Sequence, residues 1–173
     1  MSFHSIVQNC AIQELIIILG TVLDSNLNFS GHVDHVCKKA NQRMYLIRKL
    51  KTFDVDKQIL ETIYRSIVES IMTFNIITFY GYLSVKDKAR LNRIVNIASK
   101  VVGQKQKGLH ELYQTVIQKK SRNVIKDSTH PLHCHYEIMP SGRRFRAPAF
   151  RRQLYNRSFI PSAIRILTSG KLS

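Results

Sequence analysis

The sequence predicts a mainly α fold with a short N-terminal strand or hairpin, and three observations lead to this class. Apolar side chains recur every three or four residues in four separate stretches between residues 33 and 124, as in amphipathic helices. The β-branched run that favours a strand is confined to residues 14–23, where Gly20 interrupts it. The chain has 173 residues, of which 44% are hydrophobic, so it is long enough for one domain with a packed core.

The first predicted helix begins near Val33, after a turn signal at residues 24–26. Asp54 is predicted to cap the second helix, whose apolar stripe then runs beyond Ile71 on nearly every side and should be buried there. The first apolar face consists of Val33, Val36, Cys37, Ala40, Met44, Ile47 and Leu50. The second consists of Ile59, Ile63, Ile67 and Ile71, widened by Tyr64, Val68 and Met72.

Start and stop signals mark the third helix. Ser84 and Asp87 have the spacing of a capping box, and Gly103 stands where a left-handed residue ends a helix. The apolar face between them is Leu91, Ile94, Val95, Ala98, Val101 and Val102. After the linker "QKQKG", the fourth helix presents Leu109, Leu112, Tyr113, Val116, Ile117 and Val124.

Periodicity ends after Asp127, where prolines and arginines become frequent. An irregular basic arm is predicted there, followed by a short closing helix that begins at Pro161. The predicted organisation is a leader over 1–13, a strand and helical domain over 14–126, and the arm with its terminal helix over 127–173.

The charge is strongly positive and unevenly distributed. The formal net charge is +16, and residues 112–173 hold 12 basic and 2 acidic side chains, a net of +10. Such a field attracts polyanions, nucleic acid first and anionic membranes second. Three widely spaced cysteines without a C-x-x-C motif indicate reduced thiols, and no signal peptide or membrane-spanning run is recognisable. These features predict an intracellular protein, nuclear or cytoplasmic, that binds nucleic acid and not membrane.

The stretch "PSGRRFRAPAFRR", residues 140–152, is the strongest candidate for that contact. Guanidinium groups bind phosphates in pairs of hydrogen bonds, and the interleaved aromatic rings are expected to anchor the arm on the core. The predicted nucleic-acid contacts are Arg143, Arg144, Arg146, Arg151, Arg152 and Arg157 in the arm, with Lys119, Lys120, Arg122, Arg93 and Lys100 on the helices.

Other chemistry finds weaker support in the residues. His130, His133, Cys134 and His135 are metal-ligand types, but structural zinc sites usually use two separated pairs, so a polar loop is favoured. His32 and Asp34 have the spacing of half an iron-binding triad, yet they begin a helix, where Asp34 would face the positive end of the dipole. Asp54 and Asp56 are a close pair of carboxylates, the residue type that two-metal phosphoryl transfer needs. Both are expected at a helix start in any case, because acidic residues favour that position.

No phosphate-binding loop, dinucleotide motif or nucleophile context occurs in the sequence. We therefore expect no catalytic residues, metal, cofactor or small-molecule substrate.

An ordered set of segments resembles the region after the palm in LINE-type, non-LTR retrotransposon reverse transcriptases. It comprises "LGTVLDSNLNFSGHVDHVCKKANQRMYLIRKLKTFDV", "YRSIVESIMTFNIITFYGYLSVKDKARLNRIVNIASKVVG", "HPLHCHYEIMPSGRRFRAP" and "NRSFIPSAIRIL". The resemblance implies that Leu19 and Gly20 close a hairpin at the edge of the palm, and that the helices form the thumb and the region beyond it. The aromatic-Ala-Asp-Asp catalytic strand of that family is not in this sequence, so the resemblance implies a non-catalytic remnant that binds RNA or DNA.

The helices around residues 33–75 are also similar to the N-terminal domain of AlkB-homologue enzymes that modify transfer RNA. This resemblance implies an interaction module of a 2-oxoglutarate-dependent dioxygenase and methyltransferase. The sequence lacks the strand series and the glycine-rich loop that those two activities need. The retroelement remnant is the leading interpretation, and the interaction module of an AlkB homologue is the alternative. A third interpretation, a translated relic without a selected role, also stays open.

Overall fold

The predicted mainly helical class is confirmed by the computed structural model, which describes residues 16–18, 20–23, 29–142, 144–149 and 152–169. Two antiparallel strands, β1 (Ile16–Ile18) and β2 (Thr21–Leu23), form the N-terminal hairpin. Gly20 lies in its turn at φ 76°, a conformation that side chains with a Cβ rarely adopt. The leader over residues 1–13 lies outside the described residues.

Helix α1 (Ser30–Lys51) has the predicted apolar face. Its buried side chains include Val33, Val36, Ala40, Met44 and Ile47, and this face packs on α5 (Val85–Val102). Asp34 is exposed one turn inside the helix and pairs with Arg90 of α5. The prediction that Asp34 lies at the positive end of the helix dipole is wrong, because α1 has no acidic residue in its first turn, where that effect is felt.

The second helix differs from the prediction in its cap and in its stripe. Helix α2 (Lys57–Tyr64) begins after Asp56, whose side chain accepts a hydrogen bond from the Gln58 amide at 2.7 Å. Asp54 lies in the preceding turn at φ 54°, so the prediction that Asp54 caps this helix is wrong. Ile59 is 54% exposed, whereas Leu60 is buried in its place.

A π turn over Arg65–Glu69 lies within this stripe. In an α-helix, residues four apart advance by about 40° around the axis, so a long series with that spacing drifts off one face. The wider π turn offsets part of this drift for the residues that follow it. The buried side chains before, within and after the turn are Leu60, Tyr64, Val68 and Met72.

The apolar segment after Ile71 is buried but not as one continuous helix. Helix α3 (Ser70–Thr73) ends at Phe74, and Asn75 is left-handed at φ 52°. Helix α4 (Ile76–Phe79) and a 3₁₀ turn (Tyr80–Tyr82) follow. This break lets Phe79 and Tyr80 enter the core while Phe74 remains 53% exposed.

Both predicted caps of α5 are confirmed. The Ser84 hydroxyl accepts a hydrogen bond from the Asp87 amide at 3.1 Å and donates to the Asp87 carboxylate at 2.7 Å. Gly103 ends the helix at φ 78°. Helix α6 (Leu109–Lys126) then buries Leu109, Tyr113, Ile117, Ser121 and Val124.

The described residues after Asp127 are irregular apart from short elements, as predicted. These are a 3₁₀ turn (His133–His135), helix α7 (Gln153–Asn156) and helix α8 (Phe159–Ser169). Helix α8 begins two residues before the predicted Pro161, which occupies its first turn, where a missing N–H leaves no helical hydrogen bond unmade. The buried face of α8 packs against α6 and completes the core.

Two buried tyrosines give opposite expectations for the same substitution. The Tyr64 hydroxyl is buried and has no hydrogen-bond partner among the described residues, and burial raises the pKa of Tyr64 well above its usual value. The Tyr136 hydroxyl donates to the Ser121 oxygen at 3.2 Å. We expect Tyr64→Phe to raise the free energy of unfolding by about 1 kcal/mol and Tyr136→Phe to lower it by about as much. Urea denaturation of the two variants measures both changes, and equal losses would show that the Tyr64 hydroxyl is satisfied.

Candidate nucleic-acid interface

The arm is anchored to the helical core by aromatic contacts. Ile138 and Phe145 form an antiparallel bridge, and the Met139 amide donates to the Arg144 carbonyl at 2.8 Å. The Phe145 ring meets the Tyr136 ring edge-on, with centroids 5.9 Å apart. Because Tyr136 is held by Ser121 of α6, this small turn of the arm has a defined position on the core. Phe145 is therefore an anchor and not an open stacking platform.

A cleft of about 590 Å³ lies between this turn and α8. Three arginines are among the residues that line it, Arg144, Arg146 and Arg165. Arg146 is 3.4 Å from the Glu137 carboxylate, but both side chains are mostly exposed, so water screens the pair. Arg144 and Arg165 form no ion pair within the described residues. Two of the cleft's three positive charges therefore lack a carboxylate partner, which favours an anionic ligand.

A second cavity, of about 210 Å³, adjoins the cleft through Arg165, which lines both. Its walls combine rings with cations. The Tyr80 and Tyr113 centroids are 4.7 Å apart, and His110 lies 6.0 Å from Tyr80. The Lys88 ammonium is 5.0 Å from the Tyr80 centroid, within cation–π distance.

Lys88, Arg157 and Arg165 bring positive charge to this second cavity, and none of the three forms an ion pair with a carboxylate among the described residues. Burial, and then the charge of Arg157, lower the pKa of Lys88 from its usual value. Burial raises the pKa of Tyr80 to about 12, so its hydroxyl stays neutral at pH 7. Arg165 donates to the Asn156 carbonyl at 2.8 Å, a contact that holds its guanidinium beside α7. A bound phosphate would relieve the repulsion between Lys88 and Arg157.

We call the surface formed by Lys88, Arg144, Arg146, Arg157 and Arg165 the arm face. Lys88 and Arg165 were not among the sequence-predicted contacts. Arg165 is the single charged residue in the apolar closing segment "FIPSAIRIL", a signal that could have been used. Lys88 gives no such signal, because its environment depends on how the arm folds back over α5.

The remaining predicted contacts that the structure describes are not in the arm face. Arg152 is exposed just before α7, and Arg143 and Arg151 lie outside the described residues. Arg93 lines a groove between α1 and α5 together with Arg90. The other predicted contacts are exposed side chains on α5 and α6, namely Lys100, Lys119, Lys120 and Arg122. Of the predicted contacts that are described, the structure thus brings Arg144, Arg146 and Arg157 into the arm face, and it places Arg93, Lys100, Lys119, Lys120 and Arg122 on other parts of α5 and α6.

The histidine and cysteine candidates take part in local hydrogen bonds. His130 Nδ1 accepts from the Leu132 amide at 3.1 Å, and His133 Nδ1 lies 3.2 Å from the Val124 carbonyl. Cys134 and His135 are exposed. Within the described part of the chain, no three metal-ligating side chains come close enough to hold an ion. His32 is buried in α1 and separated from Asp34, which faces α5.

One family matches part of the chain. The profile of the family described as "Alkylated DNA repair protein alkB homolog 8, N-terminal" matches residues 29–70, which cover α1, α2 and the π turn. No curated protein and no solved structure matches the chain significantly. The match supports the predicted similarity to AlkB homologues, and it covers a part of the chain that does not contain the arm face. Among the helices that are described, none has the length and apolar character needed to cross a membrane.

Proposed function

We propose that the chain is a non-catalytic nucleic-acid-binding module that contacts phosphates through the arm face. The observation that carries the proposal is the position of Arg165, which joins the cleft of Arg144 and Arg146 to the cavity of Lys88 and Arg157. Among the described residues, Arg146 is the one member of the arm face that forms an ion pair, with Glu137.

Nucleic acid fits this surface better than a compact anion does. We infer that the two cavities, which share Arg165 as a lining residue, receive successive phosphates of one strand. The contacts are expected to fix position and to carry little sequence information, because phosphates are the same at every nucleotide. Low sequence specificity on RNA, DNA or a hybrid is therefore part of the proposal.

The family match over residues 29–70 favours one origin for such a module, an N-terminal interaction domain of an AlkB-homologue enzyme. In that case the arm face would help to bring a folded transfer RNA to catalytic domains elsewhere. The resemblance to the post-palm region of LINE-type reverse transcriptases rests on the ordered sequence segments and gains no support from the comparisons. Tighter binding of a transfer RNA than of an unstructured strand of equal length would favour the AlkB origin.

Salt dependence of binding tests the arm face. The assay is fluorescence anisotropy with a labelled strand of about 20 nucleotides, for which each neutralised phosphate contributes about −0.7 to the log–log slope. If roughly six contacts form, the slope is near −4. Replacing Lys88, Arg144, Arg146 and Arg165 together with glutamine should flatten it by about 3 units.

A matched variant separates the arm face from net charge alone. Replacing Lys119, Lys120, Arg122 and Lys126 with glutamine removes an equal number of positive charges, four, from the exposed side of α6. We expect this control to change the slope by less than about 1 unit. If both variants flatten the salt slope equally, binding follows total charge, and the proposal that the arm face is the binding surface is wrong.

A further inference from the structure

A third cavity, of about 350 Å³, lies on a different part of the molecule, where the β1–β2 hairpin meets α1 and α3. Its volume is at the lower end of the range of about 300–1,000 Å³ that is usual for small-ligand pockets. His35, Lys39 and Arg43 line one wall at successive four-residue spacings of α1. Ser70, Ile71 and Phe74 line the opposite wall. None of these residues belongs to the arm face.

The cationic wall is held in place and is not neutralised. One Arg43 Nη donates to the Ile67 carbonyl at 2.9 Å, which fixes the guanidinium against the π turn. Lys39 is exposed, and neither Lys39 nor Arg43 forms an ion pair with the described carboxylates. This arrangement leaves donors available to an anion at the mouth of the cavity.

Phe74 supplies an aromatic surface to the same cavity. The residue is 53% exposed, although its ring is held on one side by the hairpin turn. A Cβ added at Gly20 would lie 3.1 Å from Phe74 Cε1, so the absence of a side chain at Gly20 lets the ring approach. An exposed ring beside unpaired cations is the combination by which proteins bind the base and the phosphate of a nucleotide.

His32 is a buried part of the cavity lining. The residue is only 2% exposed, and its Nδ1 accepts a hydrogen bond from the Val22 amide at 3.3 Å. Burial, and then the neighbouring His35, hold the pKa of His32 below its usual value. Its Nε2 is buried without a hydrogen-bond partner among the described residues, and its ring meets the Phe79 ring edge-on, with centroids 4.6 Å apart. His32 therefore shapes the cavity, and the contacts to a ligand are left to Phe74, Lys39 and Arg43.

We propose that this cavity binds a nucleotide, with its base against Phe74 and its phosphate on Lys39 and Arg43. The same chemistry is present in a free nucleoside monophosphate and in one nucleotide of a single strand. Such a site goes beyond the sequence-based expectation, in which no small-molecule substrate was foreseen, and it does not depend on the arm face.

The test uses tryptophan fluorescence. Since the chain contains no tryptophan, Phe74→Trp introduces a single reporter at the cavity. Adenosine 5′-monophosphate should quench it saturably, and adenosine or inorganic phosphate alone should bind about tenfold more weakly. Phe53→Trp places the reporter at a position that is 75% exposed and does not line the cavity, where no quenching is expected. Calorimetry with the unaltered chain checks that the reporter itself does not create the site.

A charge variant and a strand separate the possible ligands. Lys39→Gln should weaken quenching about tenfold, whereas Lys38→Gln, which removes the adjacent charge outside the cavity, should leave it unchanged. Quenching by an oligonucleotide but not by the monophosphate, lost in Lys39→Gln, assigns the site to a nucleotide within a strand. Absence of quenching by both ligands, or quenching that Lys39→Gln does not alter, overturns the proposal. The glutamine variant of the arm face should keep the quenching, so that failure of one site is distinguishable from failure of the other.

Discussion

Phe79→Ala should lower the free energy of unfolding by about 3–5 kcal/mol, the loss typical of a large aromatic ring removed from a packed core. Phe79 is fully buried, and its ring meets the His32 ring edge-on at 4.6 Å and lies 6.5 Å from the Phe29 centroid. It therefore connects α4 to the start of α1. Truncation leaves a cavity that rigid neighbours cannot fill, so the lost contacts are not replaced.

Urea and thermal denaturation measure this loss. In a domain of this size each kcal/mol lowers Tm by about 2–4 °C, so a fall of at least about 6 °C is expected. Phe53→Ala removes the same ring from a position that is 75% exposed and should change the free energy of unfolding by less than about 0.5 kcal/mol. Similar losses for the two variants would contradict the central position of Phe79 in the core.

The local patterns in the sequence were sufficient to predict the helices but not the irregular turns that connect or interrupt them. The face of α1 and the capping box at Ser84 follow from spacing alone, because each depends on residues within one or two turns. The π turn and the left-handed Asn75 follow no such pattern, since tertiary packing of Val68 and Met72 outweighs the local preference for a regular α-helix. The position of Asp56 as the cap in place of Asp54 depends on where the turn after α1 ends.

The candidate sites were predictable only as residue types. A basic arm was foreseen from composition, yet the neighbours of Arg144 and Arg157 come from α8 and α5, and such long-range contacts leave no periodic signal. The same holds for the cavity at His32, whose walls come from the hairpin, α1 and α3. A single sequence shows which side chains have the required chemistry, whereas the packing of separate elements decides which of them meet.

Gly81→Ala is the second substitution with a large expected effect, because the arm closely approaches the core at this residue. A Cβ at Gly81 would lie 2.4 Å from the Arg157 carbonyl oxygen and 3.3 Å from the Tyr113 hydroxyl. The first of these atoms belongs to the backbone, so no rotamer change can relieve the clash. The segment that carries Arg157 must move away, which should cost about 1–3 kcal/mol and separate Arg157 from Lys88 and Arg165.

Two measurements on Gly81→Ala distinguish displacement of the arm from general unfolding. Trypsin should cleave the arm, residues 127–158, faster than in the parent chain. The far-UV circular dichroism of the whole chain should stay close to that of the parent, because the helices before Asp127 remain folded. The salt slope for strand binding should flatten by about 1–2 units, because contacts at the second cavity are lost. Gly108→Ala is the matched control, since a Cβ there meets no atom within 4 Å, and it should leave cleavage and slope unchanged. If Gly81→Ala loosens the arm without altering the slope, Arg157 and Lys88 are not phosphate contacts, and the arm face is reduced to the cleft of Arg144, Arg146 and Arg165.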